Sequence, residues 1–264
     1  QDIIEDIMDT HSIIFVNTLD DKENVAMTFE KYNLTELPVT DTEKRLVGIV
    51  TVDDAIDVLQ EEATEDIEKM AAITPSDKPY LKTSATETFA KRIPWLMILM
   101  ISATFTGIII SHFESSLGAL PILTAFIPML MDTGGNSGSQ ASVTVIRGIS
   151  LGDIRFRDIF RVISKELRVA LMCGIALAAT AFAKVYLIDK FIMGKEITLL
   201  IAFVISATLL VTVIIAKIVG CTLPLLAKKI GFDPAVMASP FITTIVDAFS
   251  LLIYFWFANM ILGL

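Results

Sequence analysis

"PMLMDTGGNSGSQASVTVIRG", residues 128–148, follows the apolar "LPILTAFI" and abruptly supplies a carboxylate, glycines, hydroxyls and two amides. Hydrocarbon charges heavily for unsatisfied polar groups, so Asp132, Asn136 and Gln140 need a partner or a purpose in such a run. The three lie four residues apart and share one face if the segment is helical. Pro128 favours a kink, and Gly134, Gly135 and Gly138 allow either irregular backbone or a close approach of helices. Irregular backbone at that depth is tolerated only against protein or a water-filled cavity. Two readings stay open: a seam of small residues with polar glue, and a hydrophilic pathway. The seam explains the glycines but not the aspartate.

Working outward, the 264-residue chain is 54% hydrophobic with a mean hydropathy of +0.68, too apolar for an ordinary soluble protein. Its net charge of −9 is uneven: residues 1–70 hold 19 Asp/Glu against 5 Lys/Arg, residues 71–264 hold 11 against 16. That asymmetry predicts an acidic soluble domain joined to a basic-flanked membrane domain. The chain begins at Gln1 with neither Met nor a signal-peptide pattern, as expected of a piece of a longer protein. Cys173 and Cys221 stand alone in apolar runs and read as small packing residues. His11 and His112 are isolated, so no Cys/His cluster exists for a soft metal, and any metal should be a hard one bound by oxygen.

Five apolar stretches reach the ~20 residues a bilayer requires: 94–111, 119–146, 169–188, 197–226 and 235–262. Connections two-to-three and four-to-five carry eight basic residues (Arg147, Arg155, Arg157, Arg161, Lys165, Arg168, Lys228, Lys229), against Lys184, Lys190 and Lys195 on the other side. The positive-inside rule then predicts a cytoplasmic amino-terminal domain and an external carboxyl terminus.

The fifth stretch, "DPAVMASPFITTIVDAFSLLIYFWF", repeats the polar pattern with Ser239, Thr243 and Asp247 four apart. Pro240 cannot donate to the carbonyl of Val236, which leaves that oxygen for another partner. Intramembrane carboxylates are functional candidates, although Asp247 would also serve as a buried structural partner. Amides, hydroxyls and one carboxylate suit magnesium, which keeps several of its waters and takes one or two carboxylates. A two-fold dimer would bring two copies of Asp247 to the axis.

In residues 13–52, short β-rich runs alternate with one amphipathic stretch; "LVGIVT" reads as a buried strand after a "DTEKR" turn. A helix is expected from Val52, with Ile56, Leu59, Ala63, Ile67 and Met70 as its apolar stripe. Asp54, Asp57, Glu61, Glu65 and Glu68 form another face, with Glu62 and Asp66 beside it. Stacked like charges destabilise a helix, so the face is either a solvated surface or a site for a divalent cation.

"LPVTDTEKRLVGIVTVDDAIDVL" resembles the second repeat of a CBS pair, and "QEEATEDIEKMA" resembles the helix that leaves it in the MgtE family of magnesium channels. "GGNSGSQ" with the following "RG" resembles that family's second span, and "GFDPAVMASPFITTIVDAFSLLIYF" its fifth. The resemblance covers nearly the whole chain. It implies an α-helical membrane protein, not an enzyme, with five transmembrane helices per protomer behind an amino-terminal cytoplasmic α/β CBS-type domain. The domains would be a partial CBS domain at 1–70, a connecting plug helix at 71–93 and a pore domain at 94–264.

The implied function is magnesium transport through a homodimeric ion channel in the cell membrane, with cytoplasmic magnesium closing it. Asp247 falls on the family's pore ion-site residue, Asp233 on the carboxylate near the cytoplasmic mouth, and Asn136 on the Asn of "GGN". Ser239 and Thr243 share the Asp247 stripe. Some relatives carry an amide where this chain has Ser239. Asp54, Asp57, Glu62, Glu65 and Asp66 match the regulatory metal-binding region, and the basic helix read over 80–92 would couple sensor to pore. "GIVTVDD" resembles a CBS ribose-binding segment, which would place ATP against Thr51 and Asp54.

Other functions remain to be weighed. A proton- or sodium-coupled divalent cation carrier would cycle protons on Asp132 or Asp247. An intramembrane aspartyl protease would pair two aspartates but leaves the amide and hydroxyl stripes unexplained. A membrane-tethered nucleotide sensor would need no transport.

Overall fold

A computed structural model describes residues 13–76 and 78–264, so His11 and the first twelve residues of the expected CBS domain lie outside the described residues. The chain divides into two compact units, Gln1–Asp66 and Ile67–Leu264.

In the first unit β1 (Val16–Asn17), α1 (Lys22–Tyr32), β2 (Glu36–Thr40) and β3 (Leu46–Thr51) precede α2, the helix Val52–Met70 that crosses the boundary between the units. The sheet order is β1-β2-β3, with β1 parallel and β3 antiparallel to β2. The expected turn is built by Asp41, whose Oδ1 accepts the N–H groups of Glu43 and Arg45 at 2.9 and 2.8 Å. Asp21 caps α1 by accepting from the N–H of Glu23, which satisfies a donor that the helix leaves unpaired. Val16, Ala26, Phe29, Leu37 and Ala55 form the core, with Val50, Val58 and Leu59 against it.

Two expectations fail here. "LVGIVT" is not a buried strand: Leu46, Val47 and Ile49 are 67%, 56% and 57% exposed. Among the described residues β3 has a strand on one side only, and of its residues it is Val50 that packs on the core. The apolar stripe of α2 is realised only in part: Leu59 packs on this core beside Ala55 and Val58 and Met70 on Ile146, Ala235 and Ala238, while Ile56 and Ile67 are exposed. Among the described residues the strands meet this 19-residue helix near its start, through Ala55, Val58 and Leu59.

The second unit contains α3 (Ala85–His112), α4 (Glu114–Ala119), α5 (Ile127–Ser150), α6 (Ile159–Ala183), α7 (Leu199–Lys229) and α8 (Ser239–Leu262). A π-helical segment, Lys184–Ile192, continues α6. Four segments are long and apolar enough to cross a membrane: Ala85–His112, Phe156–Ile192, Leu199–Lys229 and Pro234–Leu262. The remaining expected span, the second in the chain, is α5, whose 24 residues make a rod about 36 Å long but which is too polar to join them by composition.

Several expected boundaries move. The stretch 119–146 is not one helix: a 3-10 segment, Pro121–Phe126, precedes α5. Pro128 and Pro240 lie in the first turns of α5 and α8, where the missing proline N–H costs nothing. They start helices rather than kink them. Val236 belongs to a separate 3-10 turn, Pro234–Met237, so the freed carbonyl expected opposite Pro240 is not part of a helix ladder. The basic segment 80–92 is not a helix of its own. It opens as a 3-10 turn, Tyr80–Lys82, then from Ala85, capped by the Ser84 hydroxyl, runs unbroken through Pro94 into the first span.

Helices α5, α6, α7 and α8 form the body of this unit. Phe126, Leu130, Ile205, Leu251, Tyr254 and Phe255 are completely buried in one core, and the Tyr254 hydroxyl donates to the carbonyl of Leu123 at 3.0 Å. The glycines of α5 make this closeness possible. A β-carbon on Gly134 would lie 2.6 Å from Thr212 Cγ2 and one on Gly138 2.7 Å from Ile242 Cγ2, while one on Gly220 of α7 would strike the carbonyl oxygen of Gly138.

Candidate functional site

α5 is regular throughout, so its four-residue spacing becomes geometry. Asp132, Asn136 and Gln140 are exposed along one face while Gly134, Gly135, Ser137, Gly138, Ala141 and Ser142 are buried on the other. The small-residue seam is therefore realised on the buried side, and the polar trio lies on the opposite, exposed side of the same helix. The buried side is the small-residue seam, tied to α8 and the turn before it by Ser139 Oγ with Ser239 Oγ at 2.8 Å and by Ser142 donating to the carbonyl of Met237 at 3.3 Å.

The other side opens into a cleft of about 400 Å³ lined by Ile127, Pro128, Met131, Asp132, Gly135, Asn136, Thr243 and Asp247. Two helices supply it because Gly135 lets α8 close in: a β-carbon there would meet Thr243 Cγ2 at 2.9 Å. Its polar donors are two carboxylates, an amide and a hydroxyl, all oxygen-bearing and of the kind that suits a hard cation. Thr243 Oγ1 donates to the carbonyl of Pro240 at 3.0 Å, which leaves its lone pairs for a ligand. Ser239 and Gln140 do not line this cleft; the Ser239 hydroxyl is engaged with Ser139.

Asp233 stands apart, at the start of the turn before α8. Its Oδ1 accepts the N–H of Ala235 at 2.8 Å and its Oδ2 accepts Lys69 Nζ at 2.5 Å. Sequence reasoning missed Lys69, although its signal was available: between Arg45 and Lys78 it is the one Lys/Arg in the sequence. Sequence reasoning also passed over Lys217, buried in α7 with its Nζ 3.9 Å from Glu166 Oε2 of α6. An ammonium inside so apolar a run was the signal for it.

The acidic face of α2 is partly neutralised within its own unit. Lys22 Nζ lies 3.1 Å from Glu62 and 3.6 Å from Glu61, and the Glu62 carboxylate holds the Lys22 ammonium above the usual lysine range. Asp54 accepts from the Thr51 hydroxyl at 2.7 Å and borders a 250 Å³ cleft with Val16, Asn17, Asp20 and Lys22. Thr51 itself faces Asp54 and is not among the residues lining that cleft. Asp57, Glu65 and Asp66 lie on the same helix. Among the described residues no three His, Cys, Asp or Glu side chains gather into a group that could hold a metal.

Residues 127–257 match the MgtE family, described as a divalent cation transporter, and residues 4–61 match the CBS domain. The chain is 39% identical over 250 residues to a protein of Thermus thermophilus named magnesium transporter MgtE, covering 95% of this chain and 54% of that protein. Proteins of the same name from Bacillus subtilis and Enterococcus faecalis are 38% and 35% identical over 97% and 98% of the chain, again at 54% of their own length. The chain thus spans about half the length of the curated relatives it matches.

Proposed function

The chain belongs to the MgtE family of divalent cation transporters, not to a family of enzymes, and from that premise we propose that it conducts magnesium across a membrane as part of a channel. The observation that carries this reading is the cleft in which Asp132, Asn136, Thr243 and Asp247 converge from two helices. A hydrated magnesium ion fits such a lining, because it sheds water reluctantly and is met by one or two carboxylates through retained waters.

In this reading α5 is the second of five spans, its exposed polar face turned to the pore and completed by a second copy of the chain about a two-fold axis. The basic connections face the cytoplasm and the carboxyl terminus lies outside. Asp54, Asp57, Glu62, Glu65 and Asp66 bind regulatory magnesium together with groups contributed by other segments or protomers, in keeping with the lack of a three-ligand cluster among the described residues. Magnesium that binds a closed arrangement better shifts the population toward it, so flux falls as cytoplasmic magnesium rises, with the segment 80–92 as the coupling element. A nucleotide such as ATP would sit in the cleft bordered by Asp54.

The test is magnesium uptake by proteoliposomes containing the full-length protein, measured at rising magnesium on the cytoplasmic face, with calcium, manganese and cobalt as competitors and with and without a pH gradient. Uptake that needs no pH gradient and declines with cytoplasmic magnesium is the expected result. Uptake that stops when the gradient is collapsed would replace the channel by a proton-coupled carrier, and no uptake would end the reading.

A further inference from the structure

Lys69 sits on the last turn of α2, in the same compact unit as the membrane helices. Its turn is pinned from several directions. Met70 packs against Ile146, Ala235 and Ala238. Glu68 Oε2 accepts the N–H of Ser76 at 2.8 Å. Lys91 Nζ donates to the carbonyl of Pro75 at 2.8 Å, and the N–H of Thr74 donates to the carbonyl of Lys91 at 3.1 Å. The ammonium is thus delivered to Asp233 from a fixed turn, and both side chains are partly buried, at 23% and 35% exposed.

We propose that Lys69 is a tethered cation that occupies Asp233, and that a divalent cation reaches this carboxylate only by displacing it. The proposal rests on the proposed magnesium conduction and on the family resemblance, which puts Asp233 at the cytoplasmic mouth where the ion passes. Asp233 Oδ1 is committed to the N–H of Ala235 and Oδ2 to the ammonium. A divalent cation and an ammonium on one small carboxylate repel each other, so binding of the ion and of Lys69 is competitive. A partly exposed ion pair is worth up to about fivefold in an equilibrium constant. That is enough to raise the cation concentration needed at Asp233 and too little to prevent exchange. Lys69 therefore sets the threshold at which the mouth carboxylate responds, and its release removes one of the ties between the last turn of α2 and the turn before α8.

The experiment labels lysines of the full-length protein with an amine-reactive reagent and follows Lys69 by mass spectrometry as magnesium is raised. Choline chloride holds the ionic strength constant, and Lys228 serves as an internal reference. Labelling of Lys69 should be slow without magnesium and rise about fivefold as magnesium displaces it. In Asp233→Asn the labelling rate should no longer depend on magnesium. A Lys69 rate that stays constant or falls as magnesium rises would overturn the competition, and a magnesium-dependent rise that persists in Asp233→Asn would overturn the pairing. The titration of the native chain decides the competition even if the variant does not fold. Failure of magnesium uptake would sink the transport reading without touching the labelling result, and labelling that ignores magnesium while uptake is intact would sink this proposal alone.

Discussion

α3 and α5 are both membrane-length helices, and their apolarity runs opposite to their burial. α3 is apolar nearly all round, yet none of its residues is buried, and Leu96, Met97, Met100, Ile101 and Phe105 are more than half exposed. α5 carries the aspartate, the amides and the glycines, and eleven of its residues are buried. In water the ranking would be reversed, because apolar area is driven inward. In lipid the hydrocarbon is as good a neighbour for leucine as another helix, so what brings helices together is close packing of small residues and polar contacts. The more polar helix is therefore the central one. Phe113 at the end of α3 stacks on Phe255 at 4.6 Å, so α3 is tied to α8 at that end.

The contrast can be broken most severely at the exposed polar face of α5 and its neighbour on α8. Asp247→Ala should abolish magnesium uptake while the protein remains folded, and Asp247→Asn should lose most of it, because an amide supplies oxygen without charge. Uptake rates in proteoliposomes beside thermal unfolding of the same samples check this, and wild-type uptake in either variant would remove Asp247 from the mechanism.

Next in size is a pair of glycine substitutions. Gly220→Ala places a methyl against the backbone of Gly138, which cannot swing aside, and should cost roughly 3 kcal/mol. Gly107→Ala on α3 meets nothing within 4 Å and should be neutral or stabilise by up to about 1 kcal/mol through helix propensity. Equal effects of the two in denaturant unfolding would mean that α3 is as tightly enclosed as α5.

The smallest effect is expected at the seam. Ser239→Ala removes the hydroxyl pair with Ser139 and should cost about 1 kcal/mol, with uptake close to wild type because Ser239 does not line the cleft. Uptake falling tenfold would instead return Ser239 to the ion pathway.

By itself the sequence determined the division into an acidic amino-terminal part and a membrane part, the family, and the four-residue stripes of Asp132, Asn136 and Gln140 and of Thr243 and Asp247. Each of these depends on composition or on helical period, which are local properties. The chain order also disclosed that α2 starts at Val52, because the apolar strand pattern gives way there to a helical one. Only the tertiary structure decided which face of α2 is buried, that β3 is exposed, that Pro128 and Pro240 open helices, that Ser239 turns to Ser139, and that Lys69 lies on Asp233, 164 positions away in sequence. Those outcomes depend on which surfaces meet. A helix with apolar residues at 55, 56, 58 and 59 can bury either of two overlapping faces, and the sheet opposite selects one. A serine four residues before a threonine shares its stripe, yet the neighbouring helix takes its hydroxyl. Periodicity fixes which residues share a face, and packing fixes what that face touches.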